Sequence, residues 1–265
     1  MHNIDIEQKI ISQFAKVGFV KLTNIQNQSY SIIRKKKNIL LVAPTGSGKT
    51  EAAIIPIIVE IINNKPEKNK VSGIYITPLR ALNRDIFERI IKYTKLEGLT
   101  AEIRHGDTTP IQKRRMIVNP PNILITTPET LAILVTNKSS RAILSSVKWT
   151  IIDEFHELIG NERGTHLTLS LERLQKLSRN EITRIGLSAT LGDVDSSLKL
   201  LSGNSNNSKA IIDNTVREYD IEIKYLKGDL VDLSNLILKY VMKKRKTTLL
   251  FTNTRVEAES IGSIL

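Results

Sequence analysis

Eight consecutive residues, Ala43-Pro44-Thr45-Gly46-Ser47-Gly48-Lys49-Thr50, restrict the possible folds of this chain more than any other feature. They follow an apolar run at 39–42 and precede an amphipathic stretch, so the glycines fall at a strand-to-helix turn. At such a turn Gly46 and Gly48 let backbone amides surround a phosphate, and the helix N-terminus adds its positive end. Thr45 and Ser47 complete the loop, Lys49 supplies a charge for the terminal phosphates, and Thr50 offers a hydroxyl to magnesium. Ala43 occupies the position of the first glycine in the general pattern. A glycine-rich turn without a ligand is the plain alternative, and the strand, loop and helix context weighs against it.

Further apolar runs at 74–76, 123–125, 151–152, 185–187 and 249–251 read as buried strands. Their apolarity is continuous rather than alternating, as in strands covered on both faces, and amphipathic stretches lie between many of them. The pattern predicts an α/β fold with a doubly wound, mostly parallel sheet. A polar stretch around Pro66 reads as the loop after the helix that follows Thr50. Residues 202–208, Ser-Gly-Asn-Ser-Asn-Asn-Ser, have linker composition, and a new strand and helix pattern starts near Ile211. The expected domains are therefore 1–208 and 209–265. Basic runs at 34–37 and 243–245 each end a helical stretch ahead of a strand, where cations favour the carboxyl end. No internal repeat is present.

Ile151-Ile152-Asp153-Glu154-Phe155-His156 places two carboxylates directly after a strand expected in the same sheet as the glycine-rich loop. Ligands of open parallel sheets sit at the carboxyl ends of the strands, so the two segments should converge there. In that setting Asp153 suits a magnesium ion held through water, and Glu154 suits a base that orients and deprotonates an attacking water. Alone, the acidic pair would more simply be a helix N-terminal turn.

Hydrophobic residues make up 40% and charged residues 25% of the 265 positions, a balance that belongs to folded chains. Cysteine is absent and the four histidines are not at metal-pair spacing, which excludes disulfides and thiolate metal centres and means that a metal must arrive with a ligand. No apolar run approaches the roughly 20 residues of a membrane span, and the first residues do not resemble a signal sequence, so a cytoplasmic protein without a membrane partner is expected. The net charge of +12 suits a phosphate backbone, although basic proteins without nucleic-acid partners are common.

Taken in order, these motifs resemble those of the first RecA-like domain of superfamily-two helicases of the DExH type. The segments Asp153-Glu154-Phe155-His156-Glu157-Leu158, Arg163-Gly164 and Leu169-Ser170-Leu171-Glu172-Arg173-Leu174 are most similar to the large helicase-related (Lhr) proteins. The resemblance implies an ATP-dependent helicase or translocase that uses ATP and magnesium and grips nucleic acid, DNA ahead of RNA. It also implies roles for single residues. Gln26 resembles the glutamine that reads adenine, with Phe19 as a candidate for packing on the base; a surface glutamine and a core aromatic are the plain alternatives. Thr77-Pro78-Leu79-Arg80-Ala81-Leu82 resembles a segment that grips the nucleic-acid backbone, with Arg80 as its cation. Thr127, Pro128 and Thr130 resemble a second such contact. As isolated letters each is a capped helix start. Ser188-Ala189-Thr190 resembles the hydroxyl motif that links hydrolysis to domain movement, and His156 is expected to hydrogen-bond there.

Leu249-Leu250-Phe251-Thr252-Asn253-Thr254-Arg255 resembles the first motif of a second RecA-like domain. The later motifs, which carry an arginine that stabilises charge on the transferred phosphoryl group, have no counterpart, so the remainder of that domain is an expected partner. The chain reads as an excised piece that hydrolyses ATP poorly by itself. A catalytically impaired module that binds nucleotide and nucleic acid as a scaffold or regulator is the competing class, and the presence of Glu154 argues against it.

Overall fold

The computed structural model describes residues 22–78, 82–95, 98–190, 192–213 and 249–264, with a few isolated positions besides. The chain divides into two compact units, residues 1–215 and 216–265.

The first unit is a seven-stranded, wholly parallel sheet with the strand order β3-β4-β2-β5-β6-β1-β7. The strands are β1 (Asn38–Val42), β2 (Gly73–Ile76), β3 (Ala101–Arg104), β4 (Ile123–Thr126), β5 (Trp149–Ile152), β6 (Thr183–Ser188) and β7 (Ser208–Ile212). Helix α1 (Asn24–Arg34) precedes β1, and α2 (Lys49–Asn63), α3 (Leu82–Lys95), α4 (Pro110–Val118), α5 (Pro128–Thr136), α6 (Lys138–Leu144), α7 (Glu162–Leu177) and α8 (Val194–Ser202) occupy the connections, with a 3-10 turn at Phe155–Leu158. This is the expected doubly wound architecture of a RecA-like domain.

The continuous apolar runs follow from burial on both faces. In β1, Ile39 and Leu41 join a core with Ile33 and Ile54 from α1 and α2, while Leu40 and Val42 face a second core with Leu131 and Leu171 from α5 and α7. Tyr75 and Ile151 share the first core, and Ile74, Ile76 and Ile152 share the second. Each such side chain contributes about 1.5–3 kcal/mol on burial, so neither face can tolerate a polar alternation.

Two strands departed from this pattern. β3 carries Glu102 and β7 carries Lys209, because each strand lies at an edge of the sheet and is only partly covered, whereas Arg104 at the end of β3 is buried. β7 also moves the division expected at 208/209. Asn38 to Val42 align with Ser208 to Ile212 in parallel register, so this strand completes the first sheet and the first unit runs to Thr215. The expected second-domain strand at Ile211 is thus the edge strand of the first domain.

In the second unit, α9 (Arg255–Ile264) follows a Thr254 hydroxyl that accepts the Glu257 amide at 3.1 Å. The run at 249–251 is not a buried strand: Leu249 and Phe251 are 76% and 83% exposed, and no strand stands beside it among the described residues. Strand formation needs a hydrogen-bonding neighbour, which apolar composition alone does not supply. The basic run at 243–245 lies outside the described residues, whereas Arg34 and Lys35 close α1 ahead of β1 as expected.

Candidate active site

The strand order places β6 between β1 and β5, so three segments leave the sheet side by side at its carboxyl edge: the 43–50 loop, Ser188-Ala189-Thr190, and Asp153-Glu154. Gly46 and Gly48 both have positive φ, 74° and 87°. Gly48 is also the N-cap of α2; its positive φ demands glycine, and a Cβ there would lie 2.5 Å from the Gln26 amide nitrogen and push that side chain aside.

The loop and the acidic pair line one cleft of about 190 Å³, with Thr45, Gly46, Gly48, Lys49, Thr50, Asp153 and Glu154 on its walls. Lys49 is buried and donates to the carbonyls of Ala43 and, at 3.0 Å, Pro44. Burial lowers its pKa, and the charges of Glu154 and Asp153 partly restore it. Asp153 is raised above the ordinary carboxylate range by burial, against the pull of a hydrogen bond from Tyr75 and the Glu154 amide. Glu154 is raised by burial and by Asp153, with His156 and Lys49 opposing. Glu154 also holds a left-handed backbone (φ 45°, ψ 48°), a conformation that a non-glycine residue adopts at a cost of about 1–3 kcal/mol and that clusters at functional sites.

Ser47 completes the loop, and its hydroxyl is buried without a hydrogen-bond partner among the described residues. A phosphate oxygen is the kind of acceptor that would satisfy it. The oxygen groups facing the cleft include the Thr50 hydroxyl and the carboxylates of Asp153 and Glu154, which suit magnesium, an ion that takes one or two protein ligands and completes its shell with water and phosphate. The residues therefore fit a magnesium nucleotide.

His156 Nδ1 lies 3.1 Å from the Ser188 hydroxyl, and that hydroxyl donates to the Thr190 carbonyl at 2.7 Å. The three expected coupling residues thus meet, although Thr190 takes part through its backbone and its side chain is exposed.

Gln26 is buried, not a surface residue. Its amide oxygen accepts the Thr23 N–H at 3.0 Å in a capping box, and its amide nitrogen donates to the Gly48 carbonyl at 3.4 Å. The side chain braces the loop from behind and is absent from the cleft lining. Phe19 and Arg80 lie outside the described residues. Thr127 caps α5: its hydroxyl accepts the Thr130 amide at 3.3 Å and donates to the Thr130 hydroxyl at 3.2 Å, and Pro128 occupies the first turn. Both hydroxyls are turned inward.

Several residues of the site carried no motif signal. Glu51 and Arg89 also line the cleft, and Glu51 accepts hydrogen bonds from Arg89 and, at 3.0 Å, from Tyr93. Burial lowers the Arg89 pKa, and Glu51 more than offsets this, leaving it raised; the Tyr93 phenol is pushed up to about 12 by burial and the Glu51 charge. Tyr75 donates to Asp153 Oδ2 at 2.6 Å from the adjacent strand. Arg163, which the sequence offered only as part of the Lhr-like pair Arg163-Gly164 and without a role, spans two expected nucleic-acid segments, donating to Glu129 at 2.7 Å and to the Pro78 carbonyl at 2.9 Å. A carboxylate or basic residue at helical spacing is usually a solvated face, so only the fold reveals these partners.

The geometry agrees with the relatives of the chain. The DEAD/DEAH box helicase family model matches residues 23–197. The chain is 37% identical to the ATP-dependent helicase Lhr-Core of Sulfolobus acidocaldarius and 39% identical to that of Methanothermobacter thermautotrophicus, in each case over 95% of its own length. It spans about a third of those curated relatives, 31% and 32%. Among solved structures it is similar to the Mycobacterium smegmatis helicase Lhr bound to ssDNA and AMP-PNP, with TM-score 0.83 and 32% identity, over 96% of this chain and 35% of that one. With the loop, the acidic pair and the hydroxyl motif brought to one edge of a RecA-like sheet, the chain belongs to the DEAD/DEAH box helicase family.

Proposed function

We propose that the chain is the first motor domain of an ATP-dependent helicase or translocase of Lhr type, which binds and hydrolyses magnesium ATP and moves on single strands, DNA in preference to RNA. The observation that carries this reading is the meeting of Lys49 with Asp153 and Glu154 in one cleft at the carboxyl ends of β1 and β5. A scaffold would need the phosphate loop but not a water-activating carboxylate.

In this mechanism the amides of Gly46 and Gly48 and the hydroxyls of Thr45 and Ser47 hold the phosphates at the N-terminus of α2. Lys49 exchanges its loop carbonyls for the terminal phosphates. Thr50 and Asp153 would hold magnesium, and the ion would supply neutralisation of charge on the phosphate oxygens. Glu154 takes the proton of the attacking water, and its raised pKa brings it nearer the working range of a base. His156, Ser188 and Thr190 report the state of that site to the rest of the motor. Arg80 and the backbone at the start of α5, which the buried Thr127 and Thr130 hydroxyls cap around Pro128, contact the strand backbone.

The preference for DNA rests on the single-stranded DNA carried by the similar Lhr structure. The cations of the cleft lining are Lys49 and Arg89, and Arg89 is tied to Glu51. As the family resemblance implies, the arginine that stabilises the transferred phosphoryl group is supplied by a complementary RecA-like domain. Among the described residues no helix is long and apolar enough to cross a membrane.

The test is hydrolysis of magnesium ATP by the whole protein with single-stranded DNA, single-stranded RNA or neither. Stimulation by DNA above RNA is expected, and it should vanish in Glu154→Gln. A rate indifferent to nucleic acid, or wild-type turnover in that variant, overturns the reading.

A further inference from the structure

We propose that Tyr75 is the positioning residue that turns the Asp153 carboxylate toward a magnesium ion; this rests on the reading of Asp153 as part of the magnesium site. Tyr75 lies in the middle of β2, fully buried, and pairs with Ile151 on β5, two residues before Asp153. Its ring packs among Ile54, Ile57, Ile123, Trp149 and Ile151, surroundings that a phenylalanine would satisfy equally. The hydroxyl is the part that such packing does not explain. Burying it costs about 1–3 kcal/mol unless it is hydrogen-bonded. It is bonded toward the candidate site, donating to Asp153 Oδ2 at 2.6 Å.

The direction of this bond is forced. A carboxylate only accepts, so the single Tyr75 proton goes to Asp153. Asp153 is held at both oxygens, because Oδ1 accepts the Glu154 amide at 3.0 Å while Oδ2 accepts Tyr75. The carboxylate cannot rotate, and its free lone pairs share the cleft with Thr50 and Lys49. Groups that orient a ligand in this manner change metal affinity by about 10–100-fold when removed.

The experiment is a magnesium titration of ADP binding by calorimetry, on the wild type, Tyr75→Phe, Asp153→Asn and the double variant, with the melting temperature of each as the check on folding. Tyr75→Phe should weaken the apparent magnesium affinity by about 10–100-fold and leave ADP binding in EDTA unchanged. Once Asp153→Asn is present, Tyr75→Phe should add little, since the group it orients is gone. An unchanged magnesium affinity in Tyr75→Phe, equal weakening with and without magnesium, or additive losses in the double variant overturn the proposal while leaving the magnesium site intact. If Asp153→Asn itself keeps full magnesium dependence, the site assignment fails first and the role of Tyr75 with it.

Discussion

The imidazole Nδ1 of His156 lies 3.1 Å from the hydroxyl of Ser188. Ser188 has one proton and gives it to the Thr190 carbonyl at 2.7 Å, so His156 must donate through Nδ1. Its other close neighbours are carboxylates, Glu154 at 3.5 Å and Glu157 at 3.6 Å. The histidine thus joins the proposed base to the segment that leaves β6. His156→Ala should leave magnesium ATP affinity near that of the wild type and lower strand-stimulated hydrolysis by about tenfold, the value of one lost interaction of roughly 1.4 kcal/mol. Stopped-flow nucleotide binding alongside steady-state hydrolysis checks this, and an unchanged response to single strands would contradict it.

Lys49→Ala removes the one lysine of the cleft lining. ATP affinity should fall by about two orders of magnitude, as expected when a charge-assisted contact worth roughly 1.5–3 kcal/mol is lost. Magnesium-dependent ATP binding at wild-type strength in the folded variant would remove the phosphate-loop assignment.

Glu154→Gln should bind ATP normally and turn over about 10²–10⁴-fold more slowly, because an amide cannot take the proton from water. The pH dependence of stability provides a second measurement. The folded pKa of Glu154 is raised, so the protonated form is favoured in the fold, and the associated stability is present below the unfolded value and lost as pH rises through the folded one. The uncharged variant should therefore melt higher than the wild type at neutral pH, by a few degrees at most on a scale of about 2–4 °C per kcal/mol. The difference should vanish on acidification below the ordinary glutamate range; a variant less stable at neutral pH would contradict the raised value.

Arg163 connects the Pro78 carbonyl to Glu129 and so fixes two segments proposed to hold the strand. Arg163→Ala should weaken single-strand binding by about tenfold, given roughly 1–1.5 kcal/mol for bonds of this exposure, with ADP affinity unchanged. Fluorescence anisotropy with a labelled oligonucleotide measures it. Equal losses of strand and nucleotide affinity would mean that the residue merely supports the fold.

Gly164 follows Arg163 in the first turn of α7. A Cβ there would lie 1.7 Å from the Leu158 carbonyl oxygen, at the end of the 3-10 turn that carries His156. Gly164→Ala should destabilise the first unit by about 1–3 kcal/mol, the usual cost of overpacking. Denaturant unfolding gives the value, and a variant as stable as wild type would show that α7 can move away from the turn freely.

Those parts of the site whose chemistry depends on residues next to one another were determined by the sequence itself. A glycine-rich loop between a strand and a helix, an acidic pair after a strand, and five apolar runs buried on both faces each carry their meaning within a few residues. Gly48 has one workable backbone conformation there, and Ile39 and Leu40 each need cover on their own side of the sheet. What only the tertiary structure decided depends on neighbours across the sheet. β3 and β7 lack continuous apolarity because an edge strand is covered incompletely, and β7 joined the first sheet only through its register with β1. Tyr75 meets Asp153, and Arg89 and Tyr93 meet Glu51, across separations that no periodicity encodes. Gln26 is the clearest case: its amide can bond to a base or to a backbone equally well, and the packing of α1 on α2 commits it to Thr23 and Gly48. A hydrogen-bonding side chain announces its capacity in the sequence, but its partner is chosen by whichever backbone the fold brings within 3 Å or so.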